Sequence, residues 1–83
     1  SRNDVRMAKP HPEPYLLAAA TLGLPPAECL VIEDSFAGAR SGVAAGMRVL
    51  FWPESTPEAL PHGPVTYIEA ASDLESQLRM LLY

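Results

Sequence analysis

Apolar positions along the chain alternate between helical and strand-like spacing. Tyr15, Ala18, Ala19 and Leu22 fall at i, i+3, i+4 and i+7, one face of a helix over 15–22. Gly23 follows as a natural stop, and Pro25, Pro26 and Ala27 make a tight connection. Cys29, Leu30, Val31 and Ile32 form a short unbroken apolar run, β-branched at its end. It is too short for a buried helix and reads as a strand covered on both faces, as in a parallel sheet. It ends abruptly in Glu33, Asp34 and Ser35.

A second helical pattern runs from Ala37 to Gly46, with Phe36, Ala39, Val43 and Met47 tracing one face. Gly38, Gly42 and Gly46 recur every four residues. Glycine costs about 1 kcal/mol against alanine inside a helix, so the repeat predicts close packing of that helix on a neighbour. Arg48 to Trp52 reads as another strand, 53–64 as a proline-punctuated loop, and Val65 to Ile68 as a third strand. Ser72 and Glu75 have capping-box spacing, and Leu74, Leu78, Leu81 and Leu82 define an amphipathic C-terminal helix. Strands separated by helical crossovers predict an α/β fold with a parallel sheet. Three strands are few for such a sheet. The 83 residues are therefore expected to form the C-terminal part of a Rossmann-like three-layer domain.

Composition narrows the classes. Apolar residues make up 48% and charged residues 19%, which excludes an intrinsically disordered chain. No apolar run approaches the roughly 20 residues of a membrane span, and Ser1-Arg2-Asn3-Asp4 has no signal-peptide shape. Ten acidic against six basic residues give a net charge of −4, which argues against a nucleic-acid partner. The single Cys29 excludes an intramolecular disulfide framework and a multi-cysteine zinc site. A reducing, cytoplasmic setting is expected.

The informative chemistry sits where the first strand ends. Ligands of open α/β sheets bind at the carboxyl ends of strands. Glu33 and Asp34 could there supply hard oxygen ligands to Mg²⁺, which takes one or two carboxylates plus water and phosphate. An equally weighted alternative is that Asp34 or Ser35 merely caps the following helix. A carboxylate straight after four apolar residues is costly unless it faces solvent or a ligand, which favours a site at Glu33. Lys9 precedes Pro10-His11-Pro12, and a lysine on such a stiff loop can present its charge to a phosphate.

This combination resembles the haloacid dehalogenase-like hydrolase superfamily, with the β-phosphoglucomutase-like phosphatases and phosphomutases as the nearest subgroup. The matching text is Lys9-Pro10-His11-Pro12-Glu13-Pro14-Tyr15-Leu16, then Cys29-Leu30-Val31-Ile32-Glu33-Asp34-Ser35-Phe36-Ala37-Gly38, then Ala44-Ala45-Gly46-Met47. The resemblance implies a Mg²⁺-dependent phosphatase or phosphomutase acting through an aspartyl-phosphate on a small phosphorylated metabolite, such as a sugar phosphate. It places Lys9 against the phosphoryl group, Asp34 on the metal, and Glu33 beside it, supporting the ion directly or through water.

One departure is large. The superfamily's nucleophile comes from an N-terminal Asp-x-Asp motif, whereas the aspartates here are Asp4, Asp34 and Asp73, and Asp4-Val5-Arg6 is not that motif. The nucleophile-bearing part and the cap domain that selects substrate are thus expected to lie outside this chain, which alone is expected to be inactive. The competing reading is a noncatalytic Rossmann-like binding or structural module. Elsewhere, His11 and His62 are read as surface residues, Cys29 as a small buried hydrophobe, and Trp52 and Tyr67 as packing residues.

Overall fold

The computed structural model describes residues 11–82, with side chains through residue 80. The element order is α1 (Glu13–Leu22), a short 3₁₀ turn (Pro26–Glu28), β1 (Leu30–Glu33), α2 (Phe36–Ala44), β2 (Arg48–Phe51), β3 (Val65–Tyr67) and α3 (Ala71–Leu82). The strands form one parallel sheet in the order β1-β2-β3, with Val31 opposite Val49, Glu33 opposite Phe51, and Phe51 opposite Tyr67. The α/β parallel-sheet architecture is therefore the one the sequence predicts.

Local chemistry sets the boundaries. Prolines open α1, with Pro12 at the N-cap and Pro14 in the first turn, where their missing N–H groups would have had no intrahelical partner. Both α1 and α2 end in the same device. At α1, Gly23 N–H bonds Ala20 O and Leu24 N–H bonds Ala19 O; at α2, Gly46 N–H bonds Val43 O and Met47 N–H bonds Gly42 O. This paired closure requires a left-handed residue, supplied by Gly23 at φ +72° and Gly46 at φ +84°. Gly46 thus lies beyond α2 and ends it, instead of packing within it.

The packing of α2 lies elsewhere along the glycine repeat. A side chain at Gly42 would sit 2.8 Å from Val49 Cγ2 and 3.3 Å from Val31 Cγ2, so the missing Cβ lets the helix lie directly on the sheet. Ala19, Val31, Ala39, Ala45, Met47, Val49 and Phe51 form the core on that face. The predicted helix faces are correspondingly shifted. In α1 only Ala19 is buried and Tyr15 half-buried, while Ala18 and Leu22 are exposed. In α2 the buried positions are Gly38, Ala39, Ser41 and Gly42, with Phe36 exposed, because close approach rather than side-chain size selects the contact face. Ser41 is tolerated there because its hydroxyl donates to Ala37 O at 3.1 Å.

Two further expectations are corrected. β1 is not covered on both faces among the described residues: Val31 is buried but Ile32, which points to the opposite face, is half exposed. Ser72 does not cap α3. The helix starts one residue earlier, and Asp73 Oδ2 accepts the N–H groups of Ala70 and Glu69, so the acid reaches back to a cap that has no side-chain oxygen of its own.

No helix among the described residues is long and apolar enough to cross a membrane.

Candidate active site

The carboxyl edge of the sheet carries the polar cluster. β1 ends in Glu33, and the chain turns through Asp34 and Ser35 into α2. Ser35 is the helix cap: its backbone is extended, and its Oγ accepts the N–H of Gly38 at 2.9 Å. That resolves the choice between the two neighbours. Asp34 is exposed, and its carboxylate holds neither the cap nor any other hydrogen bond or ion pair among the described residues.

Glu33 has the opposite environment. It points to the helix-covered face, half-buried, and its Oε1 accepts from Asp34 N–H at 3.1 Å, Ser35 N–H at 3.3 Å and the Ser35 hydroxyl at 3.3 Å. Its Oε2 accepts a hydrogen bond from the Tyr15 hydroxyl. A Cβ at position 38 would collide with Cδ, Oε2 and Cγ of Glu33, so the missing side chain of Gly38 leaves the space that the end of Glu33 occupies. Burial, then the hydrogen bond to Glu33 and the negative charges of Glu33 and Asp34, push the Tyr15 phenol well above the ordinary tyrosine range.

The strand next door ends differently. Phe51 is buried and meets the Phe36 ring edge-on at 6.4 Å. Trp52 N–H then donates to Glu33 O at 2.8 Å, locking the two strand ends together. Beyond it, a shallow cleft beside Asp34 is walled by Phe36, Phe51, Pro53 and Pro57.

Of the predicted site residues, the structure places Glu33 and Asp34 side by side at this edge, and Lys9 lies outside the described residues. Tyr15 and Gly38 were not singled out by the sequence as site residues. Tyr15 lies 18 positions from its partner and reads locally as one apolar residue of an amphipathic helix. His11 and His62 are exposed, as expected, and Cys29 packs half-buried against the core. No cluster of three or more His, Cys, Asp or Glu side chains suited to a metal occurs among the described residues.

Residues 1–46 match the family model for haloacid dehalogenase-like hydrolases. Hexitol phosphatase A of Escherichia coli is 54% identical over 46 residues, which cover 55% of this chain and 21% of the relative. A conserved haloacid dehalogenase-like protein from Agrobacterium tumefaciens superposes with a TM-score of 0.70 at 27% identity, over 92% of this chain and 37% of that one. A hydrolase of the same family from Deinococcus radiodurans, crystallised with bound phosphate and sodium, superposes with a TM-score of 0.56 at 34% identity, over 90% of this chain and 34% of that one. The protein belongs to the haloacid dehalogenase-like hydrolase family, and its sheet is the corresponding part of that Rossmann-like fold. The chain spans about a fifth of the length of the phosphatase it matches.

Proposed function

We propose that this chain is the C-terminal part of the core domain of a Mg²⁺-dependent phosphatase or phosphomutase of the β-phosphoglucomutase-like subgroup. Its substrate would be a small phosphorylated metabolite, a sugar phosphate included, reached in the cytoplasm. The phosphatase relative and the phosphate-bound neighbour support this reading. The observation that carries it is Asp34: an exposed carboxylate at the carboxyl end of a parallel strand, without a hydrogen-bond or ion-pair partner among the described residues because Ser35 caps the helix.

The donor chemistry suits Mg²⁺, a hard ion that takes one or two carboxylates and fills its remaining positions with water and phosphate oxygens. Asp34 would hold the ion, with Glu33 beside it. As half of a donor set the pair fits, and the remaining protein ligands would come from the N-terminal part of the same domain. When bound, the ion would neutralise and orient the transferring phosphoryl group. Lys9 would add a fixed positive charge to the same group, and charge neutralisation and alignment are the main requirements of phosphoryl transfer. The attacking aspartate, whose carboxylate would carry the phosphoryl group as an aspartyl-phosphate, lies outside this chain.

The test is kcat/KM as a function of Mg²⁺ concentration in the complete hydrolase. Asp34→Ala should lower activity roughly a hundredfold or more and weaken Mg²⁺ dependence. Lys9→Ala should lower phosphoryl transfer on the same scale, and exposed Arg40→Ala should be nearly neutral. Parental activity and Mg²⁺ response in Asp34→Ala would refute the assignment. The 83-residue chain alone should not turn over p-nitrophenyl phosphate, since no nucleophilic aspartate is present to attack it.

A further inference from the structure

α1 and the β1–α2 turn are distant in sequence, yet one side-chain bond joins them at the candidate site. Tyr15 stands in the first turn of α1, the helix that follows the Lys9-Pro10 segment, and its hydroxyl donates to Glu33 Oε2. The other oxygen of the same carboxylate accepts from Asp34 N–H, Ser35 N–H and the Ser35 hydroxyl. The Ser35 hydroxyl in turn accepts from Gly38 N–H. The Tyr15 hydroxyl on Oε2 thus adds a restraint from a second element to a carboxylate whose Oε1 serves the turn.

We propose that Tyr15 is a positioning residue of this site. It holds the Glu33 carboxylate beneath the Asp34–Ser35 turn and thereby fixes the direction in which Asp34 presents its own carboxylate. The inference deepens the proposed function and rests on it only for the consequence at the metal. Gly38 completes the device, because any side chain there would occupy the volume the Glu33 carboxyl group fills.

Two substitutions break the link by different routes. Tyr15→Phe removes the hydroxyl and keeps the ring. Gly38→Ala displaces the Glu33 carboxylate without altering either partner, and the displacement is sterically accessible because the colliding atoms are the far end of a flexible side chain. The measurement is amide hydrogen exchange by NMR on the complete hydrolase, combined with titration by Mg²⁺ alone followed at the Asp34 resonance. In both variants, exchange at Asp34 and Ser35 should quicken roughly tenfold, the scale of one hydrogen bond to a charged acceptor. Exchange at Val49 and Leu50 in β2 should stay at its parental rate. The Mg²⁺-induced shift at Asp34 should need severalfold more ion.

Unchanged exchange at Asp34 and Ser35 would overturn the inference. So would an equal acceleration in β2, which would make Tyr15 a contributor to global stability alone. A parental Mg²⁺ response in variants with the expected exchange pattern would also overturn it, since the turn would then not govern Asp34. Localised exchange changes with no Mg²⁺ response at Asp34 in the unsubstituted complete hydrolase would support the Tyr15 link and refute the metal role of Asp34.

Discussion

β1 and β2 run parallel, pair in register and end at the same edge, yet their exits are built from opposite materials. At β1 the last residue is a carboxylate engaged by Tyr15 and the following turn, and the next residue is an exposed carboxylate with no hydrogen-bond or ion-pair partner among the described residues. At β2 the last residue is Phe51, fully buried against Phe36, and the chain leaves through Trp52 and Pro53. Glu33 and Phe51 are register partners on the same face of the sheet. One exit fills its buried volume with a hydrogen-bonded carboxylate; the other fills it with apolar contact. On the proposed function, the comparison separates a charged site from a stabilising contact across adjacent strands, within one pairing register.

That separation can be broken from either side. Phe51→Ala should have the largest effect on stability, a loss of about 3–5 kcal/mol from cavity formation and lost burial. Urea denaturation of the parent and variant would measure it, and a loss under 1 kcal/mol would mean that β2 does not anchor the edge.

At the β1 exit, Ser35→Ala should cost about 1 kcal/mol, because Gly38 N–H loses its acceptor at the helix start. Asp34→Ala should change stability by less than about 0.5 kcal/mol, since it removes an exposed side chain with no partner among the described residues. Together with the large activity loss expected in the complete hydrolase, this would sharpen the contrast most. A marked destabilisation by Asp34→Ala would instead make it a structural residue like its neighbour.

The smallest effect is a pH dependence at the link itself. The folded chain holds the Tyr15 proton more tightly than the unfolded chain, because a phenolate there would be poorly solvated and would face Glu33 and Asp34. Stability from this group is therefore complete below the ordinary tyrosine value of 10.0 and declines as pH rises above it. Tyr15→Phe should remove that alkaline component. The difference between parent and variant in denaturation midpoint, measured across this range, isolates it from other titrating groups; a constant difference would show that the hydroxyl is not so held.

The polar-to-apolar pattern by itself determined the order of elements, the parallel sheet and the position of Glu33 and Asp34 at a strand end. Those properties follow from short-range rules: short unbroken apolar runs make strands, glycines close helices, and a carboxylate cannot be left in an apolar run. The family motif was likewise legible, because its residues are close along the chain. Only the tertiary structure decided which neighbour caps α2, since Asp34 and Ser35 are both good caps and the turn geometry selects Ser35. It also decided that α2 packs through Gly42 instead of its larger side chains, because contact depends on how near the sheet lies. Tyr15 shows the limit most clearly. Its helical spacing marks it as an apolar face position, but its hydroxyl finds Glu33 only when α1 folds back over the end of β1. No local pattern records a bond between residues that folding alone brings together.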